Sequence, residues 1–267
     1  DMKSSFEVLN TCENFLKLTV QSVDMPRFPK NFFKSFANLQ YLQLSNVTIE
    51  EMVKEDFADS GDFTSLSFSN TKVKKLSAEV FEFLPELRFF ASRENPLEEI
   101  HEEAFDGCKF MKTFVIQNSP KLNSSFLTKK FLEQFRRLEV FILFNVSITS
   151  PLPEDIFISN TMLNQIDIIQ SNLSNVWELK TNAKEPLILN LSYNRLTNIT
   201  TMNAEMFTAI NNEISHLHVR KITISVCVDN NFLATISCDK NSKIVAIFAR
   251  NNSLTDLQCI RQMKNLK

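Results

Sequence analysis

The chain has 267 residues, of which 25 are Phe and only two are Gly, and its 29 Lys and Arg nearly balance 31 Asp and Glu. A chain this long would ordinarily carry roughly 19 glycines, and the two present, Gly61 and Gly107, cannot build a phosphate loop, a dinucleotide fingerprint or a nucleophile elbow. The charge balance also excludes a dedicated nucleic-acid binder, which needs a basic face, while 43% hydrophobic and 22% charged residues describe an ordinary folded chain.

Asp1 opens the chain without a charged-then-apolar leader, so any signal peptide is expected to have been removed or never present. No apolar run reaches the roughly 18 residues of a membrane helix. The longest, Val140 to Phe144, is strand-sized. Residues 1–14, with Cys12, read as an N-terminal cap, and a repeat then runs through residues 15–267. Leu39-x-x-Leu42-x-Leu44 is followed by Val47 and Ile49. Phe63-x-x-Leu66-x-Phe68 is followed by Thr71 and Val73, and Leu87-x-x-Phe90 by Asn95 and Leu97. The first positions Phe15, Leu39, Phe63, Leu87 and Met111 lie 24 residues apart, and Leu138, Leu163 and Pro186 continue the series with small insertions or deletions.

A second marker keeps the same phase. Phe33, Phe57, Phe81, Phe105, Phe131 and Phe157 each follow a first position by 18 to 20 residues. One coil cannot bury its apolar face alone, so equivalent slots on stacked coils line a continuous core. The expectation is a curved solenoid of about ten coils. Short parallel strands form its concave side, with a Phe spine, turns and short helices on its convex side.

The ninth slot carries Asn at Asn95, Asn194, Asn231 and Asn252. Val23, Val47, Thr71, Ser119, Val146 and Ser171 stand there in the other coils, so the N-terminal half must satisfy its turn backbone by other means. The scarcity of Gly implies turns set by coil stacking and Asn slots rather than by left-handed glycines. The 37 residues from Asn194 to Asn231 are too many for one coil. The alternation of Ile222, Ile224, Val226 and Val228 predicts a long strand there after an irregular loop. Two shorter units follow, Val226-x-Val228-x-x-Asn231-x-Leu233 and Ile247-x-Ala249-x-x-Asn252-x-Leu254. Met263 to Lys267 reads as the start of another repeat with Leu266 in its first slot, and no polar end cap is visible. The chain is therefore expected to stop within a repeat.

These units fit the template L-x-x-L-x-L-x-x-N-x-L, so the chain resembles the leucine-rich repeat superfamily over nearly its whole length. Its Phe-spined 24-residue coils, its shortened coils from Val226 to Cys238 and from Ile247 to Cys259, and the cysteines inside them resemble the leucine-rich immune molecules of mosquitoes. That resemblance implies a secreted protein of innate immunity that binds complement-like thioester proteins. The cysteine-rich segment and coiled coil of that family are not found in this sequence.

Slots three, five and seven of each strand point out of the concave sheet. In the middle coils they include Phe89, Val115, Val140, Ile142, Phe144 and Ile169, an outward apolar patch of the kind that marks a protein-binding surface. N-glycosylation sequons begin at Asn46, Asn123, Asn145, Asn172, Asn190, Asn198 and Asn251, which favours a secretory route. Asn145 stands beside Phe144, and glycans at Asn145 and Asn190 would crowd the concave face.

Five cysteines leave at least one thiol unpaired within the chain. Cys238 and Cys259 each lie seven residues after a ninth-slot Asn, a phase that suits a disulfide across adjacent coils, or else two buried thiols. Cys227, in the fifth slot, either joins a second copy through a disulfide or is an unreactive surface thiol. Cys12 and Cys108 are too far apart in the repeat to pair.

Glu94, Glu98, Glu99, Glu102, Glu103 and Asp106 form an acidic run, read as a solvated convex face rather than a Ca²⁺ ladder. His216-x-His218 places two imidazoles on one strand face without further metal ligands nearby, and His101 stands alone. No cofactor motif or nucleophile constellation is nominated, so an enzyme is not expected. The leading expectation is a secreted protein-binding solenoid. The ectodomain of a Toll-like membrane receptor and an intracellular repeat scaffold are the alternatives.

Overall fold

A computed structural model describes residues 14–256, apart from 175–176, 202–203, 220–221, 223 and 240–242. Most of the expected N-terminal cap, Cys12, Cys259 and the partial repeat ending at Lys267 lie outside the described residues.

The first strands are β1 (Lys17–Gln21), β2 (Tyr41–Ser45), β3 (Ser65–Ser69), β4 (Lys75–Leu76), β5 (Phe89–Arg93) and β6 (Glu99–Ile100). The middle of the chain forms β7 (Thr113–Ser119), β8 (Val140–Val146), β9 (Gln165–Ile169), β10 (Trp177–Glu178) and β11 (Leu187–Asn190). The last are β12 (Asn198–Thr201), β13 (Ala204–Thr208), β14 (His216–Val219), β15 (Ser225–Cys227), β16 (Thr235–Cys238) and β17 (Ala246–Phe248). Eleven of these form one parallel sheet in the order β1-β2-β3-β5-β7-β8-β9-β11-β13-β15-β17. Each strand of that sheet is one coil further along, as expected for a leucine-rich solenoid.

The register is a lattice. Lys17, Tyr41, Ser65, Phe89 and Thr113 stand in one row, slot three, at 24-residue steps. Inward slots alternate with them, so Leu42, Leu44, Leu66, Phe68, Phe90 and Phe114 are all buried. The core is a single hydrophobic cluster from Met25 to Ile244.

The spine is present, with all six phenylalanines buried. Ring centroids step 5.4 Å from Phe33 to Phe57, 5.4 Å to Phe81, 4.9 Å to Phe105 and 6.0 Å to Phe131. Two short helices, α1 (Phe32–Ser35) and α2 (Lys129–Glu133), carry Phe33 and Phe131 inward. Helix α2 starts where the Thr128 hydroxyl accepts the Phe131 N–H at 3.0 Å.

Three expectations change at the coil level. Phe15 is 51% exposed, because β1 has a described neighbour on one side only. Pro186 turns outward and Leu187 takes the buried place beside it. Between Asn194 and Asn231 the described residues form no long strand after a loop. Strands β13 and β14 build an additional coil, and Asn212 fills its ninth slot. Row spacing here falls from Gln165–Ile188 to the much shorter Ile188–Met206 and Met206–Ser225 steps. A thinner coil has no room for helices and Phe. Its far side is instead a second parallel sheet, β10-β12-β14-β16, packed inward through Leu217, Val219 and Ile236.

The turns also differ from expectation. The residue in slot eight has a left-handed φ in all eleven coils of the sheet, from Ser22 (55°) to Asn251 (52°). Seven of these are Asn: 46, 70, 118, 145, 211, 230 and 251. Left-handed turns are thus the rule here, with Asn replacing Gly because its short polar side chain tolerates that region. The amides stack as well, Asn70 Nδ2 donating to Asn46 Oδ1 at 3.0 Å and Asn251 Nδ2 to Asn230 Oδ1 at 2.7 Å.

Candidate protein-binding surface

The concave face is three rows of outward side chains. Row five runs Ala91, Val115, Ile142, Asp167, Asn190. Row seven runs Arg93, Gln117, Phe144, Ile169. Row three holds Phe89, Thr113, Val140, Gln165 and Ile188.

Five of the six expected patch residues are half-exposed on these rows: Phe89, Val140, Ile142, Phe144 and Ile169. Val115 is not, being only 3% exposed. A concave sheet draws its outward side chains together, and the middle row is roofed by the rows beside it. Ala91, its register neighbour, is fully buried for the same reason, under an Arg93 that reaches Gln117 Oε1 at 3.0 Å and Ser67 Oγ at 3.2 Å. Phe89 stands apart, its register neighbours being Ser65 and Thr113. It lines a polar groove of about 460 Å³ with Tyr41 and Arg88. The contiguous patch is therefore Val140, Ile142, Phe144 and Ile169; beyond Gln165, exposed Ile188 and Met206 form a second apolar pair in row three, and exposed Phe248 stands apart beyond Cys227.

No family model matches the sequence, and no curated protein matches it. Solved structures do. A chain of the Toll–Spatzle complex from Drosophila superposes with a TM-score of 0.63 at 17% identity, over 95% of this chain and 41% of that chain. A chain of the LRIM1/APL1C complex gives 0.54 at 19% identity, over 92% of this chain and 41% of that one. An internalin, InlF from Listeria monocytogenes, gives 0.53 at 15% identity, covering 98% and 87%. The fold of this chain is that of a leucine-rich repeat solenoid. At these identities the likeness concerns the fold, and the chain spans about two fifths of the Toll-complex and LRIM1/APL1C-complex chains.

Around the solenoid, the sequons sort by slot. Asn46, Asn145 and Asn251 share the left-handed slot eight, Asn172 follows the ninth slot, and Asn123 and Asn198 lie further along the same turn. The first four sit where strands leave the concave sheet, whereas Asn123 caps the short helical turn Ser124–Phe126 and Asn198 opens β12 of the second sheet. Asn190 alone is on the concave face, where its Oδ1 accepts from Ser192 N (3.1 Å) and Ser192 Oγ (2.7 Å).

Cys108 is a buried free thiol whose Sγ faces Phe81 O at 3.5 Å, and burial pushes its pKa up. Cys227 is a half-buried free thiol on row five, between Thr208 and Phe248, and burial also raises its pKa. Cys238 ends β16; its expected partner Cys259 lies outside the described residues.

The acidic run is ion-paired to neighbouring coils. Lys75 meets Glu99 at 2.7 Å, Lys74 meets Glu98 at 3.7 Å, and Lys130 bridges Glu102 (3.1 Å) and Glu103 (2.9 Å). The lysine hydrogen bonds and charges hold Glu99 and Glu103 below the usual carboxylate range. His216 and His218 do share one face of β14. Their Nδ1 atoms are engaged by Thr235 Oγ1 at 2.8 Å and Ser237 Oγ at 2.7 Å, and Asp239 lies 3.5 Å from His218 Nε2. Ser237, His218 and Asp239 thus meet although spacing did not nominate them. They lie on an open sheet face, and the Ser237 hydroxyl is also within reach of Leu217 O at 3.4 Å.

Slot reasoning missed Ile188 and Asp167 although both fall in outward slots of recognised coils. Met206 and Phe248 were missed too, and Met206 became placeable only with the register of the extra coil.

Proposed function

We propose that this solenoid is an extracellular protein-binding module whose concave face takes a protein partner in innate immune recognition or complement-like control. The observation that supports the reading is the run of half-exposed Val140, Ile142, Phe144 and Ile169 on adjacent strands, with exposed Ile188 beyond Gln165. Apolar groups clustered on a rigid, pre-formed sheet bind a partner at reduced ordering cost, and buried apolar centres carry most interface energy. Two solved relatives in fold are chains of protein complexes, one with Spatzle and one of LRIM1 with APL1C. By resemblance the partner is a complement-like thioester protein.

The secretory reading includes glycans at the sequons other than Asn145 and Asn190, which leave the concave rows open. It also includes a Cys238–Cys259 disulfide and, at Cys227, a thiol placed to join a second copy. Among the described residues no helix is long and apolar enough to cross a membrane. A second reading, the ectodomain of a Toll-like receptor, uses the same surface and is favoured by the superposition on the Toll complex. The two are separated by the full-length reading frame, where about 20 apolar residues downstream select the receptor.

Ile142→Asp with Phe144→Asp tests the surface. Both side chains point away from the core, so the variant should stay folded, with a modest drop in melting temperature from the new carboxylate opposite Asp167, and lose at least tenfold in capture of the partner from native fluid. Unchanged capture refutes the concave surface. Full glycan occupancy at both Asn145 and Asn190 also counts against it.

A further inference from the structure

The proposed concave surface contains one charge that its surroundings do not explain. Asp167 occupies row five of β9, half-buried, with Ile142 and Asn190 as register neighbours. Its flanks on the same strand are Gln165 and Ile169, and Val140 and Ile188 hold the row-three positions beside Gln165. Its one hydrogen bond among the described residues comes from Gln165 Nε2 at 2.8 Å, and it has no ion pair there.

An ionised carboxylate offers about four acceptor sites, so most of this one's capacity is unused. The contrast with its neighbours is sharp. Glu139, just before β8, is bonded by Lys112 at 2.7 Å, and convex carboxylates such as Glu99 and Glu154 are matched by lysines one coil away. Burial lifts the Asp167 carboxyl above the usual carboxylate range against the pull of Gln165. Gln165 meanwhile fixes its orientation.

An apolar partner closing over Ile142, Phe144 and Ile169 would strip the remaining water from this carboxylate. A buried charge without a counterion is costly, whereas a cation delivered to it forms a charge-assisted hydrogen bond. The surface therefore discriminates against a purely apolar ligand and selects one with a positive group at the centre of an apolar segment.

We infer that the partner places a lysine or arginine side chain, flanked by apolar residues, on Asp167 between Ile142 and Asn190. The inference rests on the concave face being the binding surface, and it names the chemistry of what binds there.

The probe is a displayed random-peptide library, selected in parallel on the native protein, on Asp167→Asn and on the Ile142→Asp, Phe144→Asp double variant. Each protein is first checked for an unchanged circular dichroism spectrum and gel-filtration volume. Peptides enriched on the native protein should carry Lys or Arg between apolar residues. They should lose at least tenfold in affinity on Asp167→Asn and fail on the double variant. Changing the peptide's basic residue to Glu should abolish binding, and Asp167→Lys should restore it. Peptides that need Ile142 and Phe144 but lack a basic residue, and bind Asp167→Asn equally well, overturn the cation site while leaving the surface in place. Peptides indifferent to the double variant overturn the surface itself.

Discussion

At the scale of single residues, two adjacent asparagine positions do different work. The ninth-slot amide is buried and reads the backbone of two coils. Asn194 accepts from Ser171 N (2.9 Å) and Leu173 N (3.1 Å) and donates to Ile168 O (2.7 Å) and Leu191 O (3.0 Å). An unsatisfied buried backbone group costs about 1–3 kcal/mol. Asn194→Ala should therefore destabilise the chain by about 2–4 kcal/mol in urea unfolding. The Asn slots were legible wherever the repeat phase was known. Asn212 was not, because the phase was lost there. The left-handed slot eight was hidden for another reason, since Ser22, Glu94, Gln170 and Tyr193 share its geometry without an Asn to announce it. The burial of Val115 was equally invisible, being a product of sheet curvature rather than of slot identity. Asp167 supplies a prediction with a sign. Its folded pKa is raised by desolvation, so its ionisation weakens the folded state. Stability is fullest below the unfolded carboxylate range and falls as pH rises through the folded value. Asp167→Asn should melt higher than the native protein at pH 7, and the difference should vanish below about pH 4. A lower melting temperature at pH 7 would mean that Asp167 is stabilised by a cation after all.

Among the elements, the spine and the strand lattice divide the labour of burial. Phe105 is fully buried, its ring centroid 4.7 Å from Phe90 and 5.5 Å from Phe114 in edge-on contacts and 4.9 Å from a tilted Phe81. It thereby ties three coils together. Truncating a buried Phe to Ala costs about 3–5 kcal/mol, and Phe105→Ala should lose that much, measured by chemical denaturation. The spine and sheet were readable because a constant 24-residue step repeats the same chemistry at the same phase. Beyond Asn190 the step shortens, Phe gives way to β-branched and small residues, and the convex helices become strands. Periodicity then points to two different elements at once, so the alternation from Ile222 to Val228 reads as one strand. Only Ser225 to Cys227 pairs in the sheet.

For the whole molecule, stability is a sum over neighbouring coils rather than a property of one globule. Coils with fully buried strands should open last. In β8, Phe141 and Leu143 are buried to 1% exposure or less, whereas β17 is half-buried and its Phe248 is 44% exposed. Hydrogen exchange by mass spectrometry should therefore show amides of β15 and β17 exchanging at least tenfold faster than those of β7 and β8. Uniform protection along the chain would show that it unfolds as a single unit. Such graded opening leaves the apolar middle of the concave face on the most rigid coils, where a binding surface loses least to ordering on association.

The left-handed column in slot eight has a consequence for how such a chain tolerates change in length. Each coil fixes its backbone direction at that residue, at the end of the strand or within three residues beyond it. Whatever follows, from the short Ile188–Met206 step to the long Thr113–Val140 step, the outward rows of the next strand pair again, with one register irregularity between Leu187 and Ile188 at the short step. The turn acts as a reset that erases the history of loop length. Residues can thus be gained or lost on the convex side while the spacing of the concave rows is conserved, and the outer surface is free to diverge without disturbing what the inner one presents.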